Sequence, residues 1–148
     1  MHGDALREFE EASRHDLTHT IGAVSRALTA AIFRRLADRG YGDVHQAHVA
    51  VFSALDPDGT RVSTLAARAG ISRQAMSALV RTLTAAAYVT AETDPSDQRA
   101  TIVRLDRRGA EFCRAAVVAS AEANAEIERS LGPDQTARLR EILRVLAG

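Results

Sequence analysis

The chain has 148 residues, 46% apolar and 26% charged with only three Pro, a composition that excludes a mainly disordered polypeptide. Nineteen basic residues, every one an Arg, balance nineteen acidic ones, which excludes a uniformly basic coat for nucleic acid. A single Cys excludes an internal disulfide framework and a multi-Cys zinc site, and no apolar run approaches the ~20 residues that span a bilayer.

In chain order, Leu17, Ile21, Val24, Leu28, Ile32 and Leu36 recur at steps of three and four through a Pro-free segment. This predicts one long amphipathic helix over 5–39. Gly40-Tyr41-Gly42-Asp43 ends it, and a helix over 44–55 gathers His48, Val51, Phe52 and Leu55 on one face. After the turn Asp56-Pro57-Asp58-Gly59, Ser63 is placed to N-cap a short helix, Thr64 to Ala69, that stops at Gly70. Ser72 caps the next helix, which runs to Ala87. Two helices joined through Ala69-Gly70-Ile71-Ser72 read as a helix-turn-helix. The pattern then changes to β-favouring runs, Tyr88 to Thr93 and Thr101 to Leu105, around the loop Asp94-Pro95-Ser96-Asp97, and such a hairpin makes a wing. Asp106 can cap a helix to Ser130, with Phe112, Ala116, Ala119, Ala123 and Ile127 on one side. Pro133 starts a last helix carrying Leu139, Ile142, Leu143 and Leu146.

The fold class is therefore mainly α with a small β-hairpin wing, a winged helix-turn-helix flanked by N- and C-terminal helices. It is read as one domain over 1–148, with the winged module at 44–106. The terminal helices, 5–40 and 107–148, carry more apolar stripe than one small module covers, so they are expected to pair with a second copy; a monomeric bundle packed on itself is the alternative. The N-terminus Met1-His2-Gly3-Asp4 lacks the regions of a signal peptide, and a cytoplasmic location with no membrane partner is expected.

On the helix after Ser72, Met76, Leu79, Val80 and Leu83 fall inward, while Gln74, Ser77, Ala78 and Arg81 follow one another on the opposite face. Small and hydrogen-bonding residues there suit close approach to base edges: Gln pairs bidentately with adenine and Arg with guanine. Arg73 in the first turn is placed for phosphate, which the helix N-terminus also favours. At the wing, Asp97 is expected to orient the guanidinium of Arg99, an arrangement suited to a narrow minor groove. A solvated polar face and a surface ion pair are the plain alternatives. Arg61, Arg68, Arg104, Arg107 and Arg108 read as phosphate neighbours or solubilising charges.

Ser63-Thr64-Leu65-Ala66 through Gly70-Ile71-Ser72, Tyr88-Val89, Asp94-Pro95-Ser96-Asp97-Gln98-Arg99 and Val103-Arg104-Leu105-Asp106-Arg107-Arg108-Gly109 together resemble the MarR family of winged-helix transcription regulators. Ala87 stands where that family usually has Gly, Ala91 where Arg is common, Gln98 in place of the first Arg of an Asp-Arg-Arg wing, and Asp106 in place of a Thr. The resemblance implies a homodimer joined through its terminal helices on a pseudo-palindromic double-stranded operator with half-sites ~10 bp apart. It also implies repression, relieved by a small-molecule effector bound between the dimerisation helices and the winged domain.

Four His form two helical pairs, His15 with His19 and His45 with His48. Solvated or structural roles, contacts to an effector and zinc ligation are the three readings, with no cofactor as the expectation and zinc as its alternative. His45, His48 and Phe52 are the candidate effector-pocket residues. Cys113, beside Phe112, reads as packing rather than as a redox sensor. No Gly-rich phosphate loop, zinc-protease pattern or nucleophile elbow appears, so an enzyme is not expected. A winged-helix protein-interaction module that does not read DNA remains the second functional class. Residues 61–109 hold eight Arg against four acids and the rest of the chain eleven against fifteen, so neutrality is a basic module on an acidic frame.

Overall fold

The computed structural model describes residues 2–14 and 16–148. Two helices, α1 (His2–Arg14) and α2 (Leu17–Leu36), occupy the segment predicted as one. Asp16 makes the difference: its backbone is extended (φ −79°, ψ 138°) and its carboxylate accepts the Thr18 N–H at 3.0 Å, so an N-cap interrupts an apolar period that otherwise continues. A π-helical turn over Ala37–Tyr41 leads to α3 (Gln46–Ala54).

Thr60–Arg61 forms a two-residue strand, β1, that the sequence pattern is too short to reveal. Because this strand runs straight into α4 (Val62–Ala69), Arg61 rather than Ser63 occupies the N-cap, and Ser63 lies inside the first turn. Gly70 closes α4 in the left-handed conformation (φ 66°), and the Ser72 hydroxyl caps α5 (Arg73–Ala85) by accepting the Ala75 N–H at 3.1 Å. The strands β2 (Val89–Asp94) and β3 (Asp97–Leu105) form an antiparallel hairpin with a two-residue tip, and the sheet order is β1-β3-β2. Thr93 opposes Thr101 but Asp94 opposes Asp97, so Gln98, Arg99 and Ala100 bulge from the ladder. The helices α6 (Arg107–Leu131) and α7 (Pro133–Ala147) complete the fold.

The core is centred in the winged module, where Val51, Leu65, Met76, Leu83, Tyr88 and Val103 are each no more than 1% exposed. Leu36 and Phe112 extend it to α2 and α6. Small buried residues on α6, Ala119 and Ala123, let that helix lie close to α2, and Arg35 of α2 and Arg39 of the π-helical turn pair across the contact with Glu122 and Glu126. Only the lower half of the α2 stripe is covered: Leu36 is buried, whereas Leu17, Ile21 and Val24 are exposed. Among the described residues, no helix is long and apolar enough to cross a membrane.

The end of α5 sets how the wing leaves that helix. Tyr88 N–H donates to the Leu83 carbonyl (2.9 Å) and Ala87 N–H to that of Thr84 (3.0 Å), the paired bonds of a Schellman cap. That cap requires a positive φ at Ala87, and Ala87 adopts it at 60°. The turn is thus made without a glycine, and the Ala87 Cβ is tolerated in the left-handed region at a cost of about 1–2 kcal/mol. Gly109 on α6 is under the opposite constraint, since a Cβ there would meet the Tyr88 carbonyl oxygen at 2.1 Å. Ala87→Gly is therefore expected to stabilise the fold by about 1 kcal/mol, raising the thermal midpoint by about 2–4 °C; an unchanged or lower midpoint in calorimetry would show that the cap is not strained.

Candidate nucleic-acid interface

The outward face of α5 is assembled as the periodicity predicts. Met76, Val80 and Leu83 are buried, while Arg73, Gln74, Ala78 and Arg81 are exposed. Ser77 is half-buried and donates its hydroxyl to the Arg73 carbonyl at 2.8 Å, so it presents a satisfied, compact surface rather than a free donor. Ser72 is committed to its cap.

The wing differs from expectation at its tip. The Asp97 carboxylate accepts the backbone N–H of Arg99 (3.1 Å), not its guanidinium, which extends freely from the bulge. A short loop in which the carboxylate faces a backbone amide two residues on is an Asx turn, and it fixes the backbone rather than the side chain. The wing is held instead by residues the sequence reading missed. Arg61 Nε donates to Asp94 at 2.7 Å, and its far nitrogen reaches the Ser96 hydroxyl at 3.2 Å. The Ser96 hydroxyl and N–H both donate to Asp94, and with Arg61 they hold its carboxyl below the ordinary carboxylate range. The spacing Asp94-Pro95-Ser96 carried that signal as a second Asx turn.

These pairings sort the Arg residues of the module. Arg61 is tied to Asp94, Arg68 to Asp56 and Arg104 to Glu92. Beyond it on α6, Arg107 approaches Glu111 at 3.9 Å and Arg108 holds Asp43 at 3.1 Å. Among the described residues, Arg73, Arg81 and Arg99 have no acidic partner, and these are the three that the helix face and wing tip singled out.

A second feature lies between frame and module. Helices α2, α3 and α6 enclose a cleft of about 630 Å³, walled by Ile32, Phe33, Leu36, Phe52, Phe112 and Ala116. Phe52 thus lies where an effector was expected. His45 lines an adjoining recess of about 330 Å³ with Arg26, and His48 lines neither. His48 is buried, and its Nδ1 accepts the His45 N–H at 2.9 Å, satisfying an orphan donor at the start of α3. His19 is exposed on α2, and His15 lies outside the described residues. Among the described residues, no three His, Cys, Asp or Glu side chains converge as a metal set. Burial raises the pKa of the half-buried Cys113, which borders the cleft, and so disfavours its thiolate.

The comparisons agree with this geometry. Residues 43–100, from the α3 approach through the wing bulge, match the model of the MarR family. The fold of the chain is that of MarR-family transcriptional regulators, as solved relatives show. MarR from E. coli in its apo form superposes with a TM-score of 0.71 at 18% identity, over 90% of this chain and 98% of that one. Sco3205, a MarR-family regulator from Streptomyces coelicolor solved in complex with DNA, gives 0.64 at 23%, over 88% and 84%. The PcaV regulator of the same organism, solved with its natural ligand, gives 0.60 at 25%, over 89% and 94%. No curated protein matches the chain.

His48 gives the MarR-like module a pH dependence. Burial, then the neighbouring His45, hold its pKa below the ordinary 6.5, against a smaller opposing effect of Asp43. The folded state disfavours protonation of His48, so its contribution is complete above that ordinary value and is lost as pH falls below it. Urea melts at about pH 7.5 and about pH 5.5 are expected to show lower stability at the acid value. In His48→Gln, which keeps an acceptor without a titration, the difference shrinks; an equal difference in both proteins would remove His48 as its source.

Proposed function

We propose that the chain is a dimeric, sequence-specific DNA-binding regulator acting in the cytoplasm. In this reading α5 lies in the major groove and Arg99 in the adjacent minor groove. The observation that carries it is the selective freedom of Arg73, Arg81 and Arg99, while Arg61, Arg68 and Arg104 are neutralised inside the module. Guanidiniums without protein partners are available to phosphates and guanine edges at no cost in broken ion pairs. The relative solved with DNA supports the same use of the fold.

Duplexes from upstream of the chain's own coding sequence, titrated by fluorescence anisotropy at several salt concentrations, test this reading. Arg81→Ala is expected to cost about 1–3 kcal/mol on the preferred duplex and to relax preference at one base position. Arg99→Ala weakens all duplexes alike and reduces the salt slope by about one per protomer. Binding no tighter than to random DNA, with protein partners retained in both variants, would favour the interaction-module reading.

The dimer rests on exposed apolar side chains at the two ends of the chain. Leu6 and Phe9 of α1, Leu17 of α2, and Val145 and Leu146 of α7 are each more than 60% exposed. So much apolar surface on the terminal helices is the mark of a subunit interface. A second copy related by a two-fold axis would cover it and present two reading modules. Sedimentation at micromolar concentration is expected to give a dimer, and Leu143→Glu with Leu146→Glu a folded monomer with weakened operator binding. A wild-type monomer overturns the assignment.

Repression follows if the operator overlaps a promoter, and relief follows if a small molecule in the α2–α3–α6 cleft alters how the frame holds the module. The cleft's volume falls within the range of ligand pockets, ~300–1,000 Å³, and its walls are mainly apolar.

A further inference from the structure

We infer that the α2–α3–α6 cleft selects an uncharged, ring-containing ligand over the carboxylate of the same ring system. The inference rests on the reading of the cleft as the effector site and specifies the chemistry it admits.

Three aromatic rings, Phe33, Phe52 and Phe112, wall the cleft. Phe52 and Phe112 lie with centroids 4.8 Å apart and planes tilted by 35°, a geometry that a further flat ring can extend by offset or edge contact. The polar groups at the rim and walls are Thr29, Gln46, Ser53, Ser120 and the thiol of Cys113, whose ionisation burial disfavours, and among the described residues no charged side chain lines the cleft. Hydroxyls and an amide suffice to recognise a phenol, an alcohol or a carbonyl. An ionised carboxylate moved among these walls loses its hydration without gaining a cation, and that imbalance disfavours the charged form.

The charged groups on the surrounding helices are placed elsewhere. Arg35 on α2 is committed to Glu122 and Glu126. Arg114 on α6 is exposed and absent from the lining. On α3, His48 is buried with its Nδ1 engaged at the helix start. Arg26 and His45 line the smaller recess, which shares Thr29, Phe33 and Gln46 with the cleft. An anion that reached them would have to extend beyond Phe33, and this defines the competing arrangement.

The test is calorimetric titration of the full chain, near neutral pH, with 2-naphthol and with 2-naphthoate, which share a ring system and differ in charge. Binding of 2-naphthol at least ~tenfold tighter than 2-naphthoate is expected. That binding should be abolished in Ala50→Phe, which fills the cleft, and unchanged in Arg26→Ala. A naphthoate affinity equal to or above that of naphthol, lost in Arg26→Ala, overturns the charge selection while leaving the cleft as a binding site. Naphthol binding that survives Ala50→Phe in a folded protein, or no binding of either compound, overturns the reading of the cleft and the inference with it.

Discussion

The structure turns on Tyr88. Its ring is completely buried, yet its hydroxyl donates to Asp43 at 2.6 Å, and Arg108 lies over the ring at 4.4 Å while its guanidinium binds the same carboxylate. Arg108 also donates to the Ala86 carbonyl at 2.8 Å, at the end of α5. Tyr88 and Arg108 together therefore fasten three remote segments: the approach to α3 through Asp43, the end of α5 through Ala86, and the start of α6 through Arg108 itself. Burial, followed by the bond to Asp43, pushes the Tyr88 phenol far above its ordinary pKa, so it remains a donor. Burial opposes ionisation of Asp43, but the Tyr88 hydroxyl, a backbone amide and Arg108 outweigh it and hold the carboxyl below its usual range. The two close backbone approaches follow from this anchor. Gly109 must lack a Cβ because the Tyr88 carbonyl lies against it, and Ala87 accepts a left-handed backbone because the residue after it is fixed.

The neutral net charge of the chain acquires a meaning from the same arrangement. Acidic residues are spent holding particular Arg side chains in structural roles: Asp94 on Arg61, Glu92 on Arg104, and Glu122 and Glu126 on Arg35. Arg104–Glu92 is exposed on both sides and worth at most about 1 kcal/mol, whereas Asp94 is buried and Arg35 half-buried; in every case the pairing also decides where positive potential remains. What remains uncompensated in the module is concentrated on one helix face and one wing bulge.

Much of this was legible from the sequence because it rests on local rules. The inward face of α5 follows from its period, its start from the Ser72 hydroxyl, and the hairpin from the change of period and the Asp-Pro-Ser-Asp loop. What escaped depends on tertiary contacts or on competition between local signals. Asp16 carries a cap signal inside an apolar stripe that keeps its phase, and the stripe masked it. Thr60–Arg61 is a strand only because Val103 and Ile102 lie beside it. Arg61 and Asp94 are 33 residues apart, and Tyr88 and Asp43 are 45 apart, so no spacing rule joins them. Ala87 was visible only as a departure from a usual Gly; the flanking hydrogen bonds impose the left-handed turn despite the Cβ. His48 looked like a cleft residue because it shares a face with Phe52, but the helix start needed its Nδ1 more closely.

The cleft and the end of α5 are parts of one packed unit. Phe52 and Phe112, two of the cleft walls, lie 6.3 and 5.8 Å from the Tyr88 ring, both close to edge-on. Close-packed interiors do not absorb a displaced ring locally, so the wall of the cleft cannot shift far without reaching the residue that terminates α5. The half-covered α2 stripe places a further demand on the same region. Its lower part closes the cleft with Ile32 and Leu36, and its upper part, from Leu17 to Val24, is left for a partner. One helix thus carries both the cleft wall and the proposed dimer contact. Its position relative to α6 is set by the Arg35 and Arg39 pairs and by the small side chains of Ala119 and Ala123. In the dimer proposed above, the helix packing that sets the width of the cleft would also set the separation of the two winged modules.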